Sequence, residues 1–138
     1  MREIIFRGKL KADNGEHKKG DWVYGDLVRI KDGDNVKSFI YGFGEVNPKT
    51  VGQFVGLTDK DGKRIFEGDI VDDGEIPIGI VEYNQIIACF IGRITDSTPK
   101  CLHWSMLNKG DPTRQTQLEF TRVIGNIHDN LELIERGG

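Results

Sequence analysis

Cysteine is scarce in this chain, whose 138 residues hold only Cys89 and Cys101. Two cysteines cannot form the dense disulfide scaffold of a small secreted domain. Long apolar runs are missing too, since none approaches the roughly 20 residues of a membrane helix. No charged start leads into an apolar stretch as it does in a signal peptide. These absences exclude a disulfide-rich secreted domain and a membrane-spanning protein. They predict a soluble, cytoplasmic protein that contacts no membrane.

Excess positive charge is also lacking. The formal net charge is −3, which has the wrong sign for a protein built to coat phosphate backbones. No segment is rich in serine, proline or glutamine, and no internal period of about 20 to 50 residues indicates a repeat protein. We therefore expect a single domain over residues 1–138, a length that can bury roughly two-thirds of the unfolded surface.

Apolar residues recur with a period of two far more often than with the 3.6 of a helix. Turn signals follow every 8 to 12 residues or so, which predicts an all-β, mainly antiparallel barrel or sandwich. The predicted strands cover residues 2–10, 22–30, 36–43, 52–57, 64–66, 70–71, 78–83, 86–94, 100–107 and 117–124. We expect the first to be an edge strand and the apolar run 86–94 to be a central one.

Several residues predict where the turns, a loop and a helix lie. Asp-Gly and Asn within residues 31–35 supply the positive φ angles of a hairpin turn, and Gly62 is expected to do the same between two later strands. Residues 47–49 should be loop because Pro48 cannot donate a ladder hydrogen bond. The best helix candidate is residues 130–136, where Asn130 is expected to cap a turn carrying Leu131 and Ile134 on one side. Phe66 and Ile70 should be core residues.

Candidate catalytic and metal-binding residues are few. Asp69 follows Gly68 and opens a strand, where an aspartate commonly binds nearby backbone amides. No histidine or second carboxylate is spaced to work with it, so we interpret Asp69 as structural. Three acidic turns lack the glycine and glutamate positions of a calcium loop, and solvated hairpin turns explain them. They hold Asp32 and Asp34, Asp59 and Asp61, and Asp72, Asp73 and Glu75.

The cysteines and histidines do not form a recognisable site either. Cys89, Cys101 and His103 lack the close pairs of structural zinc, and a catalytic thiol would need His103, His128 or Asp129 brought close by the fold. The 42–44 Gly-Phe-Gly run lacks the third glycine and the helix of a dinucleotide site. The sequence therefore predicts no catalytic residue, no metal ligand and no cofactor.

Single-stranded nucleic acid is an alternative partner, because small β-barrels stack bases on exposed aromatic rings beside basic groups. The candidate rings are Trp22, Tyr24, Phe39, Tyr41, Phe43, Phe54 and Trp104, and the nearby lysines are Lys18, Lys19, Lys31, Lys37, Lys49 and Lys63. Each ring lies in an apolar strand, where core packing is the default, and the lysines are interleaved with acidic residues. Nucleic acid is therefore not the favoured partner.

The run GQFVGLTDKDGKRIFEGDIV, residues 52–71, resembles the YopX family of phage and prophage proteins. REIIFRG and WVYG, residues 2–8 and 22–25, resemble that family's start, and VIGNIHDN, residues 123–130, its ending. Residues 85–118 carry no matching motif. The resemblance implies an SH3-like barrel over about residues 51–136, with strands from residues 1–50 packed on it. It also implies self-association and residence in a bacterial cytoplasm, and it supplies no catalytic residues.

These observations predict a non-enzymatic phage or prophage accessory protein that self-associates. Open strand edges tend to be paired or covered, and symmetric association is a common way to do so. A phage or host protein is the expected macromolecular partner. The alternatives are a single-stranded nucleic-acid-binding barrel and an enzyme in which carboxylates converge with His103 or His128.

Overall fold

The computed structural model describes residues 3–72, 79–85, 89–94 and 121–136. Its strands are β1 Phe6–Lys9, β2 Trp22–Gly25, β3 Leu27–Asp32, β4 Asn35–Ile40, β5 Gly44–Val46, β6 Gly52–Thr58, β7 Arg64–Phe66, β8 Asp69–Asp72, β9 Gly79–Asn84, β10 Cys89–Ile94 and β11 Arg122–Asn126. A 3-10 helix, Pro48–Thr50, and one short α-helix, α1 Leu131–Arg136, complete the described elements. The all-β, antiparallel prediction is confirmed, while the described strands show no closed barrel. No helix in these ranges is long and apolar enough to cross a membrane.

The chain divides into two compact units, residues 1–54 and residues 55–138. Each has its own apolar cluster. That of the first unit consists of Leu10, Val23, Ile40 and Val46, with Phe6, Leu27, Phe43 and Val51 packed against it. That of the second consists of Val55, Ile65, Val71, Val81 and Val123, with Leu57 packed against it. The single domain over residues 1–138 stays a prediction.

In the first unit, β1 lies between β2 and the start of β6. Phe6 is opposite Gly25 on one side and Gln53 on the other. The prediction of an edge strand over residues 2–10 is therefore wrong. Weak alternation in this segment suggested a half-exposed edge, but Arg7 and Gly8 are both buried. Pairing on both sides, which local pattern does not report, gives β1 its central place.

The predicted strand over residues 22–30 is two strands in the structure. β2 pairs with β1, whereas β3 pairs with β4. β2 ends at Gly25, whose φ is +155°, and a Cβ there would lie 3.3 Å from Ile40 Cγ2. Glycine permits both this backbone conformation and this close approach. The break thus follows Gly25, at Asp26, which belongs to neither strand.

The predicted strand over residues 36–43 also has different bounds in the structure. β4 ends at Ile40, because the amide of Phe43 donates to the Ile40 carbonyl at 3.0 Å and closes a turn. β5 then pairs back on β4. The predicted loop at 47–49 is confirmed as non-strand, since Pro48 opens the short 3-10 helix and the Asn47 side chain accepts from the amide of Lys49 at 3.1 Å.

In the second unit, the described strands follow the order β10-β9-β8-β11. β9 and β10 pair over six residues, from Gly79↔Ile94 to Asn84↔Cys89. Among the described strands, β10 has β9 as its single neighbour, so the central place expected for residues 86–94 is not seen there. The predicted strand 100–107 lies outside the described residues. β11 begins at Arg122 and bulges between Val123 and Gly125.

The predicted C-terminal helix is present as α1. Asn130 directly precedes it, and its carbonyl accepts a hydrogen bond from the amide of Leu133 at 2.9 Å, as at the predicted cap position. Its side chain accepts a hydrogen bond from the amide of Asn126 at 3.1 Å, back towards β11. Leu131 is 54% exposed, so it forms no buried side of the helix. Asn130 therefore fixes the loop that leaves β11, and the helix starts after it.

We expect Gly62→Ala to lower the free energy of unfolding by about 1 kcal/mol. Gly62 has the predicted positive φ, +82°, and a Cβ there would meet nothing within 4 Å. The expected loss is therefore conformational rather than steric. Urea denaturation measures it, and Gly62→Asn should cost less because asparagine tolerates this backbone region. Equal stability of wild type and Gly62→Ala would contradict the assignment.

Candidate interaction surface

β3 and β4 form a hairpin at residues 27–40. Their register runs from Leu27↔Ile40 to Asp32↔Asn35, with a two-residue turn at Gly33 and Asp34 between them. Gly33 has a φ of +64°, as the Asp-Gly signal predicts for a tight hairpin turn. The predicted turn is thus confirmed in place, and Gly33 supplies a positive φ, whereas Asp32 and Asn35 lie in the flanking strands.

One face of this hairpin is apolar and exposed. Side chains alternate between faces along a strand, so Val28, Ile30 and Phe39 share a face, with Val28 directly opposite Phe39. The other face carries Ile40 and Ser38, which are buried. Val28 is 38% exposed, Ile30 is 50% exposed, and Phe39 is half-buried. We call these three residues the hairpin face. An antiparallel sheet usually presents polar side chains on the side away from its core, so this apolar face is unusual.

Charges of both signs border the hairpin face. The Lys37 ammonium lies 3.4 Å from the Asp32 carboxylate, and both side chains are largely exposed. An ion pair of this kind contributes little to the stability of an isolated chain. Both residues lie on the same side of the hairpin as Ile30, because Lys37 is opposite Ile30 in the register. The apolar patch therefore has a rim that is complementary to itself.

Among the described strands, none pairs with β3 on the side away from β4. In the described sheet β3 pairs with β4 and ends the order β3-β4-β5. In a hairpin with a two-residue turn, Asp32 and Asn35 exchange hydrogen bonds, and every second pair along the ladder does the same. The amides and carbonyls of Leu27, Arg29 and Lys31 consequently point outwards. We call these groups the hairpin edge.

A second surface lies on the sheet formed by β1 and β2. Arg7 is opposite Tyr24 and Lys9 is opposite Trp22, so the four side chains share a face. The Arg7 guanidinium lies 4.6 Å, and the Lys9 ammonium 5.4 Å, from the centroid of the Trp22 ring, which is the range of a cation–π contact. Tyr24 is 48% exposed. We call these four residues the cation–aromatic face.

The acidic turns separate into two kinds. Asp32 and Asp34 are exposed, as predicted for a solvated turn. Asp59 is not: it is 1% exposed, and its carboxylate accepts from the amides of Asp61 and Lys63, each at 2.9 Å, and of Val123, also at 2.9 Å. The prediction of a solvated turn is wrong there. Residues 73–75 of the third turn lie outside the described residues.

The buried Asp69 carboxylate accepts a hydrogen bond from the amide of Phe66 at 2.7 Å, so the predicted bond to nearby backbone is confirmed.

Cys101 and His103 lie outside the described residues, as does Trp104, and the Cys89 side chain is not described. Asp129 accepts from the Asn126 side chain at 3.1 Å. Within the described ranges, no group of three or more His, Cys, Asp or Glu could hold a metal ion.

Comparison with known proteins gives a family and a similar crystal structure. The sequence model described as YopX protein matches residues 9–135. The crystal structure of protein EF1440 from Enterococcus faecalis is similar at 19% identity, covering 97% of this chain and 99% of that chain, with a TM-score of 0.46. No curated protein matches the sequence.

Proposed function

The chain belongs to the YopX protein family, and on that premise we propose that it is a phage or prophage accessory protein that self-associates, binds another protein and catalyses no reaction. Its place of action is the bacterial cytoplasm. The observation that supports self-association is the hairpin face. A contiguous apolar patch on an outward face is typical of an interaction site.

A second copy of this chain suits that face because of its rim. A two-fold axis through the patch places the same residues of both copies against each other. Val28 and Ile30 of one copy then cover those of the other. Asp32 of each copy comes near Lys37 of its partner, so opposite charges meet at the rim of the patch. An acidic or basic rim alone would repel its own copy.

Substituting Ile30 tests the proposal. We expect wild type to form a dimer in light scattering coupled to size exclusion, and Ile30→Lys to raise the dissociation constant at least about tenfold, since burial of an isoleucine contributes roughly 1.5 to 3 kcal/mol. Val36→Lys is the matched control, because Val36 is 55% exposed and lies on the opposite face of the hairpin. A wild-type monomer at roughly tens of micromolar would refute self-association.

We also propose that residues 51–136 make an SH3-like barrel. Support comes from the antiparallel order β10-β9-β8-β11 and from the tight β6–β7 connection at residues 59–63. Strands paired in this way can curl until the sheet closes, as small barrels do. Backbone amide-to-amide contacts in an NMR spectrum, between the strands at the two ends of the sheet, test the closure.

Single-stranded nucleic acid is the second candidate partner, and the cation–aromatic face is what favours it. Tyr24 is an exposed ring on the same face as the partly exposed Lys9, and such a combination stacks bases and attracts phosphates, whereas Arg7 of this face is only 5% exposed. If this candidate is correct, an oligonucleotide titration at low ionic strength will give binding that weakens steeply with salt. Tyr24→Ala should weaken it, and Tyr83→Ala, an exposed tyrosine of the second unit, should not. No signal at low ionic strength would dispose of this candidate.

A further inference from the structure

The hairpin edge offers hydrogen-bonding groups in the spacing that a further strand needs. Leu27, Arg29 and Lys31 point their amides and carbonyls away from β4, so three donor–acceptor pairs lie along six residues of β3. An extended segment can add to such an edge and complete the ladder. No described residue outside β4 pairs with β3. The edge is thus a binding feature separate from the hairpin face, which uses side chains.

The charged side chains of the hairpin determine which kind of strand the hairpin edge favours. Arg29 and Lys31 project from the face opposite Val28 and Ile30. The remaining residues of that face on β3 and β4 are Leu27, Val36, Ser38 and Ile40. On β3 and β4, the face of Arg29 and Lys31 therefore carries two cations and no carboxylate. Opposite charges on directly facing residues of neighbouring strands stabilise the pair, and like charges destabilise it.

A second copy of β3 fits this edge poorly. Antiparallel pairing must keep Val28 and Ile30 of both copies on one face, which restricts the register. Two registers pair most of β3 of one copy with β3 of a second copy. The one centred on Arg29 places the two Arg29 side chains opposite each other, and the one centred on Ile30 places Arg29 opposite Lys31. Both oppose like charges, so charge complementarity favours a different occupant.

We infer that the hairpin edge binds an extended acidic segment of a partner protein by strand addition. The inference rests on the proposed function as a binding module and names the chemistry of the partner. The incoming strand runs antiparallel to β3, with carboxylates facing Arg29 and Lys31. Its alternate positions carry β-branched residues that extend the apolar row of Val28 and Ile30. Backbone bonds hold the strand, and the carboxylates determine which segment is accepted.

Two fluorescein-labelled peptides test this in anisotropy titrations against the full chain. One alternates valine with glutamate, and the other alternates valine with lysine. We expect the acidic peptide to bind and the basic one to bind at least about tenfold more weakly, because two facing charge pairs change sign. Arg29→Pro removes one outward amide, which proline at an edge position tolerates. It should abolish binding of the acidic peptide, whereas the matched Arg29→Ala should weaken it only a few-fold.

The outcomes are distinct from those of self-association. Equal affinity for both peptides, or full binding by an Arg29→Pro variant whose hairpin amide shifts are unchanged, would overturn the inference. If wild type binds neither peptide and Arg29→Pro loses the dimer, the edge belongs to a second copy, and the inference is overturned as well. Ile30→Lys should dissociate the dimer yet still bind the acidic peptide. A monomeric wild type that binds the acidic peptide would remove self-association and leave the edge inference intact.

Discussion

Replacing Phe66 with alanine is expected to lower the free energy of unfolding by about 3 to 5 kcal/mol. Phe66 ends β7 and is only 3% exposed. Removal of a buried ring loses its transfer free energy and leaves a cavity that a close-packed interior refills only in part. Its amide still donates to Asp69 at 2.7 Å, so the backbone bond of this turn is retained in the variant. Urea denaturation followed by circular dichroism measures the change.

Two further variants separate packing from other effects of this substitution. Phe66→Leu keeps most of the buried volume and should cost less than half as much. Tyr41→Ala removes an aromatic ring of similar size from an exposed position, and it should change stability by no more than about 0.5 kcal/mol. A Phe66→Ala variant within about 1 kcal/mol of wild type would show that this ring is not packed as the structure has it.

Local signals were sufficient for the turns and for much of the strand content. Asp-Gly at residues 32–33 predicts a hairpin turn, and the structure has it with the register that a two-residue turn imposes. Gly62 has its predicted positive φ, and Phe66 and Ile70 are buried as predicted. These features depend on residues close in sequence, so one sequence contains the needed information.

Sheet order depends on distant pairings, and there the prediction was wrong. β1 has a central place because β6, more than forty residues away, pairs with its second side. Alternation reports which residues of a strand share a face, and it does not report how many neighbours the strand has. The break after Gly25 shows the same limit, since the reason for glycine there is the distant Ile40 side chain.

The candidate site was missed for a related reason. The pattern of residues 22–30 predicts a strand, and it does not report which of its two faces is exposed. Nothing local states which face of the hairpin a core covers, and here the core covers the face of Ile40. Arg29 and Lys31 alternate with Val28 and Ile30, a pattern that favours the opposite assignment, with the cations on the outer face. In the structure Arg29 and Lys31 instead share a face with Leu27 and Ile40, and Ile40 belongs to the core cluster.

Asp59→Ala is expected to lower the free energy of unfolding by about 3 to 4 kcal/mol, because hydrogen bonds to a charged group contribute roughly 1.5 to 3 kcal/mol each and do not add fully. The Asp59 carboxylate holds three amides. Two belong to its own turn, at Asp61 and Lys63, and the third is that of Val123, 64 residues along the chain. Alanine leaves these donors without their acceptor, and the buried Val123 amide has no ready access to water.

Two matched variants of the same turn separate the loss of these hydrogen bonds from a general effect of charge. Asp59→Asn keeps one carbonyl oxygen that can accept from part of the set, so its loss should be smaller than that of alanine. Asp61→Ala removes a carboxylate of the same type from an exposed position two residues on, and it should stay within about 0.5 kcal/mol of wild type. In hydrogen exchange, Asp59→Ala should lower the protection of the Val123 amide far more than that of Val23 in the first unit. Equal losses for Asp59→Ala and Asp61→Ala would mean that a general charge effect, rather than the bond between Asp59 and the Val123 amide, accounts for the change.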